Sequence, residues 1–303
     1  MARINRLPFP LSKPQWPTSV QLNRKISKLG PNFETDWSRR YGVRLFRAVV
    51  LDNFVRPSVK FVASPEVFGE DRLIDLPTPV IFAANHSSHI DTPLLLSLLP
   101  DRYRHRCVVA AGADYFFDRR WKAYIWSGLL GAIPIERQKV NRRSGEVASK
   151  LLSEKWNLLI FPEGGRSPNG LGQEFKRGVA QLAVRSGRPV VPIYLEGTFE
   201  IYGKNSSKIK PGKSRVNFGK PLTVEDGEDP RSFGLRIQRS IDELASELHD
   251  DWWAAKLQRS SDSLPPLTPV GTSTWLHDWQ RTANLPPKTT SRRWPRRFGS
   301  SSR

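Results

Sequence analysis

From about residue 78 the chain alternates short apolar runs with stretches whose apolar residues recur every three or four positions. The runs at 79–84, 106–111, 156–161 and 189–195 read as buried strands. The piece at 132–135 is extended too, because Pro134 blocks a helix and forces the residue before it out of the helical region. Between these runs, helical spacing covers 91–99, 119–130, 142–152 and 174–186; Trp121, Tyr124, Ile125, Leu129 and Leu130 form the apolar side of the second. Strands and helices alternating at this interval predict an α/β fold, a layered domain with a largely parallel central sheet flanked by helices. Further on, 214–218 alternates like an edge strand. A helix over about 233–253 places Ile237, Ile241, Leu244, Leu248 and Trp252 on one side, to pack on the body.

The pattern differs at the two ends. Residues 1–36 are irregular, proline-bearing and without a sustained period, and 258–303 is a basic tail rich in Ser and Pro that buries little by itself. The domain is therefore expected at 37–257, with a core at 78–225 and a packing helix at 233–253. Its first segment, 37–61, interleaves Tyr41, Val43, Leu45, Phe46, Val49, Val50 and Phe54 with Arg39, Arg40, Arg44 and Arg47. That is an N-terminal amphipathic helix. It either packs on the core or lies in a membrane interface with its arginines toward lipid phosphates.

Charge sharpens the picture of the tails. The 303 residues carry a formal +19, and twelve of those charges come from two acid-free ends, 1–33 and 285–303, with six basic residues each. Such tails suit an anionic surface. They attract nucleic acid and lipid headgroups alike, so charge alone does not choose between them. A single cysteine, Cys107, in an apolar strand, excludes an internal disulfide and reads as core. No run of 18 apolar residues predicts a transmembrane helix. The N-terminus lacks the apolar stretch of a secretory signal, and Pro8, Pro10, Pro14 and Pro17 disfavour the amphipathic helix of a transit peptide.

The candidate chemistry sits in the loops after the strands. Asn85-His86-Ser87-Ser88-His89-Ile90-Asp91 follows the first run and leads into a helix. On one continuous helix His86 and Asp91 would point apart; with a loop between them, the carboxylate can fold back onto one ring nitrogen and leave the other as a base. A loop histidine near a helix-capping Asp also has an ordinary structural explanation, so the second loop matters. Pro162-Glu163-Gly164-Gly165-Arg166-Ser167 follows the strand at 156–161 and should open on the same rim of the sheet. Its glycines allow close backbone approach, and the Arg166 fork suits phosphate. Gly131 to Arg137 places Arg137 at another strand end, Phe175-Lys176-Arg177-Gly178 adds cations, and Val191-Pro192-Ile193 supplies an apolar wall. No Gly-x-Ser-x-Gly elbow occurs, and no His, Cys and carboxylate cluster has zinc spacing.

Together, His86-(four residues)-Asp91, Gly131…Glu136-Arg137, Phe161-Pro162-Glu163-Gly164-Gly165-Arg166-Ser167 and Val191-Pro192-Ile193 resemble the glycerolipid (lysophospholipid) acyltransferase family, over roughly residues 40–225. The resemblance implies an O-acyltransferase that moves an acyl chain from acyl-CoA or acyl-ACP to a lysophospholipid, foremost 1-acylglycerol 3-phosphate, giving phosphatidic acid. It implies His86 as general base oriented by Asp91, and Arg137, Glu163, Gly164, Gly165, Arg166 and Ser167 as acceptor-binding residues. It implies no metal and no cofactor beyond the thioester co-substrate, and a peripheral place on the cytoplasmic face of an anionic membrane. Nucleic acid is not an expected partner. Pro134 and Glu136 stand where the family commonly has an aromatic and an aspartate, and Gly165 where threonine is frequent, which leaves the acceptor open. Glycerol 3-phosphate, another lysolipid, or an inactive lipid-binding role are the alternatives.

Overall fold

The computed structural model describes residues 30–136 and 142–249, together with Lys256 and Leu267. The chain enters through a 3-10 turn at Asp36–Arg39 and helices α1 (Tyr41–Val50) and α2 (Arg56–Ala63). Strand β1 (Pro65–Phe68) leads to β2 (Ile81–Ala84), α3 (Asp91–Leu98) and the short α4 (Asp101–Arg104). Next come β3 (Cys107–Gly112), α5 (Ala113–Phe116), α6 (Arg120–Leu130), β4 (Ala132–Ile135) and α7 (Arg142–Ser153). The remainder is β5 (Asn157–Ile160), α8 (Gly178–Ser186), β6 (Val190–Glu196), α9 (Thr198–Tyr202), β7 (Ser214–Phe218) and α10 (Pro230–His249).

The strands form one sheet in the order β1-β7-β6-β2-β5-β3-β4, parallel throughout except for the β6–β7 pair. β2 lies at its centre, and all four of its residues are buried, as a parallel strand covered on both faces requires. Phe82 and Ala84 join a core with α2 and α3, whereas Ile81 and Ala83 join a second core with α7, α8 and α10. The α/β layered architecture read from the pattern is thus the architecture observed.

Three local expectations are corrected. The strand at 214–218 is not at the edge: β1 covers it, pairing Pro65 with Ser214 through Phe68 with Asn217. β1 escaped the apolar pattern because Glu66 and Phe68 are exposed and only its alternate residues are partly buried. The helix expected from 174 starts at Gly178, since Lys176 N–H is spent on Pro162 O (2.9 Å) before the first helical turn. The segment at 37–61 is not one uniform helix. A π turn at Leu51–Val55 separates α1 from α2, with Arg56 N–H reaching back to Leu51 O. Pro57 lies in the first turn of α2 and has no N–H to give the preceding turn, so the ladder widens there.

Arg47 also turns inward, away from any lipid-facing side. Its guanidinium donates to Gly128 O (2.7 Å), Ser38 O (2.7 Å) and Ser127 O (2.9 Å). A cation set on the carbonyls that end α6 complements that helix terminus, and burial lowers its pKa to about 10. The result is α1 pinned to α6, with Tyr41, Leu45, Phe46, Val49, Phe54 and Phe61 left exposed along α1 and α2. Among the described residues no helix is long and apolar enough to cross a membrane. Cys107 is buried, and desolvation pushes its thiol up to about 12, an inert core residue. The part of the C-terminal helix expected at 250–253, residues 1–29 of the N-terminal segment, and the C-terminal tail apart from Leu267 lie outside the described residues.

Candidate active site

β2 ends at Ala84, and Asn85 continues its pairing by side chain. Asn85 Nδ2 donates to Leu195 O (2.8 Å), and Leu195 N–H donates to Asn85 Oδ1 (2.7 Å). That fixes the root of the next loop, whose residue 86 points to the opposite face. There His86 Nδ1 lies 2.8 Å from Asp91 Oδ2. The same oxygen accepts the amides of Ser87 (2.9 Å) and Ser88 (2.8 Å), and Asp91 is fully buried. Asp91 opens α3, where helix polarity favours an anion. A carboxylate oxygen that accepts two backbone amides and faces Nδ1 favours the tautomer with the ring proton on Nδ1, which leaves Nε2 as the unprotonated nitrogen. The ring itself stacks on Phe161, centroids 4.0 Å apart and planes 18° from parallel.

The loop after β5 closes on His86 from the other side, because β2 and β5 are parallel neighbours. His86 N–H donates to Glu163 Oε1 (2.8 Å), and Ser167 N–H donates to His86 O (2.8 Å). Both backbone groups of His86 are therefore held by the second loop. Glu163 is 5% exposed, and its other oxygen accepts from Gln173 Nε2 (3.0 Å), which also donates to Gly165 O (3.0 Å). Burial raises the Glu163 carboxyl to about 8, so near neutral pH it is largely a protonated, uncharged brace. The Glu163 oxygens thus face the His86 loop and Gln173.

Gly164 has φ +71°, a conformation suited to glycine, and a Cβ there would lie 2.7 Å from Lys176 Nζ. The Lys176 stem thus covers Gly164. Ser167 is buried with its hydroxyl donating to Asn169 Oδ1 (3.0 Å). Arg166 reaches the rim between the face of Tyr115, 5.5 Å from its centroid, and His89 Nε2. His89 packs at a tilt against Tyr202 (centroids 4.6 Å apart), and burial first, then Arg166, hold its pKa below the ordinary range. A neutral His89 offers Arg166 an acceptor, a role the sequence did not assign. Nor did it assign Gln173, which carries no motif.

His86, Asp91, Glu163, Gly164, Gly165, Arg166 and Ser167 are thus in one place. Arg137 lies outside the described residues. Val191 and Ile193 are fully buried inside the sheet, so they support the site from below instead of forming its open wall. Among the described residues no group of three or more His, Cys, Asp or Glu could hold a metal ion.

An imidazole–carboxylate pair, with an arginine on the same rim at the carboxyl ends of a mostly parallel sheet, is an arrangement able to accept a proton near an anion. Comparison with known proteins points to the class: residues 65–196 match the family model described as Acyltransferase. Every candidate site residue falls inside it. The chain is 31% identical over 151 residues to 1-acyl-sn-glycerol-3-phosphate acyltransferase alpha of Mus musculus, covering 48% of this chain and 51% of that protein. It is 29% identical over 164 residues to a 1-acyl-sn-glycerol-3-phosphate acyltransferase of Cocos nucifera, covering 51% and 49%. The chain thus spans about half the length of these relatives. Its fold resembles the crystal structure of the 1-acyl-sn-glycerophosphate (LPA) acyltransferase PlsC from Thermotoga maritima. The TM-score is 0.56 at 21% identity, over 73% of this chain and 85% of that one.

Proposed function

We propose that the protein transfers an acyl chain from a thioester to the free hydroxyl of 1-acylglycerol 3-phosphate, giving phosphatidic acid. The observation that carries this reading is the 2.8 Å bond from His86 Nδ1 to the buried Asp91 carboxylate, which leaves Nε2 as the base. The names of the relatives support the acceptor.

In this mechanism Nε2 takes the hydroxyl proton as the oxygen attacks the thioester carbonyl. The new C–O bond forms, the C–S bond breaks, and the imidazolium returns its proton to the departing thiolate. Asp91 stabilises the imidazolium while it lasts. Glu163 and Ser167 hold the His86 backbone so that the base meets the hydroxyl in one geometry. Arg166, set between Tyr115 and His89, takes the acceptor phosphate in this reading. General-base assistance supplies on the order of 10²–10⁴-fold; positioning and exclusion of water supply the rest.

A peripheral site of action fits the exposed apolar side of α1 and α2, joined through the Arg47 anchor to Trp121, Tyr124 and Ile125, which are exposed on α6. The test is acyl transfer from labelled acyl-CoA and acyl-ACP to a panel of lysolipids and glycerol 3-phosphate. Phosphatidic acid formed fastest from 1-acylglycerol 3-phosphate is the expected result. No transfer from either donor to any acceptor would reject the enzyme, and preference for another acceptor would reject the substrate.

A further inference from the structure

Beyond α10 the sequence Leu264-Pro265-Pro266-Leu267-Thr268-Pro269 sets an apolar residue among prolines. Leu267 packs on the body, against the buried cluster of Tyr194, Ile241, Leu244 and Ala245. Both of its backbone groups are used as well. Leu267 N–H donates to Asp242 Oδ1 (3.1 Å), and Leu267 O accepts from Gly172 N–H (3.1 Å). Asp242 is buried on α10, and its neighbour Glu243 is engaged by Lys256. Gly172 lies so close that a Cβ there would come 2.9 Å from Leu267 Cβ and 3.0 Å from its carbonyl carbon. The prolines around Leu267 restrict the free chain, which lowers the entropy lost when that residue is fixed.

Gly172 belongs to the loop that holds the base. The next residue, Gln173, spans Glu163 Oε2 and Gly165 O, and Glu163 Oε1 takes the His86 N–H. This loop has little packing of its own: it contains Gly164, Gly165, Gly170 and Gly172, and no residue from Pro168 to Gly178 is buried. Its far end therefore takes its order from what lies against it. We propose that Leu267 is a positioning residue for acyl transfer. Seated between α10 and Gly172, it clips the far end of the loop, so that Gln173 meets Glu163 and Glu163 meets the His86 backbone. The inference rests on the acyl-transfer reading. It adds to that reading a part of the chain outside the residues matched to the family model, since Asp242 and Leu267 both lie beyond 65–196. Leu267 acts on the geometry of the base and holds neither substrate, so its loss belongs in kcat.

The test uses the full chain and two variants that open the contact from opposite sides. Leu267→Ala removes the packed side chain, and Gly172→Ala puts a methyl where Leu267 lies. Gly172 is not in the left-handed region, so its own backbone accepts the methyl. Each is expected to lower kcat about tenfold, less than the loss for a base displaced outright. The KM values for acceptor and donor should stay within about twofold of native. Leu267→Met, which refills the seat, should restore kcat. In a Gln173→Ala background, Leu267→Ala should cost nothing further, because the path to His86 is already cut. Amide hydrogen exchange gives a readout independent of turnover: 163–173 and the His86 loop should exchange faster in both variants. Additive losses with Gln173→Ala, a raised KM at native kcat, or unaltered exchange at 163–173 would overturn the proposal. Faster exchange there in a protein that transfers no acyl group to any acceptor would refute the acyl-transfer reading and leave the clip standing.

Discussion

Truncating Glu163 to alanine separates a brace from a substrate ligand. Glu163→Ala leaves the His86 N–H, now 2.8 Å from Oε1, without its acceptor; Gln173 keeps its bond to Gly165 O. An unpaired buried donor costs about 1–3 kcal/mol, and the lost buried methylene adds about 0.8 kcal/mol. A destabilisation of roughly 2–4 kcal/mol lowers Tm by roughly 4–16 °C in a domain of this size. Activity should fall further, since a base misplaced by about 1 Å loses on the order of 10²-fold. Glu163→Gln restores an acceptor for His86 N–H and disturbs only the Gln173 contact, at about 1 kcal/mol, so activity should return to within roughly tenfold of native. The assay is steady-state kinetics in acceptor alongside thermal unfolding. Native stability in Glu163→Ala, or equal increases in acceptor KM in both variants with kcat unchanged, would refute the brace and return Glu163 to the acceptor.

Three further outcomes follow from the geometry. Asp91→Asn can keep its amide oxygen toward Nδ1 and the Ser87 and Ser88 amides, which share one acceptor, but it removes the negative charge that stabilises the imidazolium. The account predicts a kcat loss on the order of 10²–10⁴-fold with a modest loss of stability, and near-native turnover would contradict it. Folding stability should fall as pH rises. Glu163 and Asp242 titrate in the folded state at about 8 and about 6, above ordinary carboxylates, so their contribution is full below the unfolded values and is lost through about pH 6 and then about pH 8. Denaturation midpoints in a pH series should show that slope, and Asp242→Asn and Glu163→Gln should each flatten it; an unaltered slope would contradict the assignment. Phe46→Glu with Phe54→Glu, both on exposed positions, should lower binding to liposomes with little change in Tm. Unchanged binding would remove α1 and α2 from the membrane interface.

The sheet was legible because central parallel strands bury both faces and so read as unbroken apolar runs. β1 was not, since a four-residue strand exposing Glu66 and Phe68 has no such run. Its absence from the reading put β7 at the edge. Helical periodicity found the 37–61 segment, but spacing alone could not tell that Arg47 turns in to the α6 carbonyls while Phe46 and Phe54 stay out. At the site, the loop before α3 made the His86–Asp91 approach readable from spacing. What a carboxylate bonds to is set by chains far away in sequence. Glu163 meets a backbone amide 77 residues off, and Gln173 and His89 acquire their contacts only through the packing of the loops.

The central claim is that His86 Nε2 takes the proton of the acceptor hydroxyl, and replacing that one ring tests it. Acyl transfer to 1-acylglycerol 3-phosphate should be measured for the native chain and for His86→Ala at equal folded concentration and saturating donor. The account predicts a kcat lower by about 10²–10⁴-fold; a variant turning over at the native rate would contradict it.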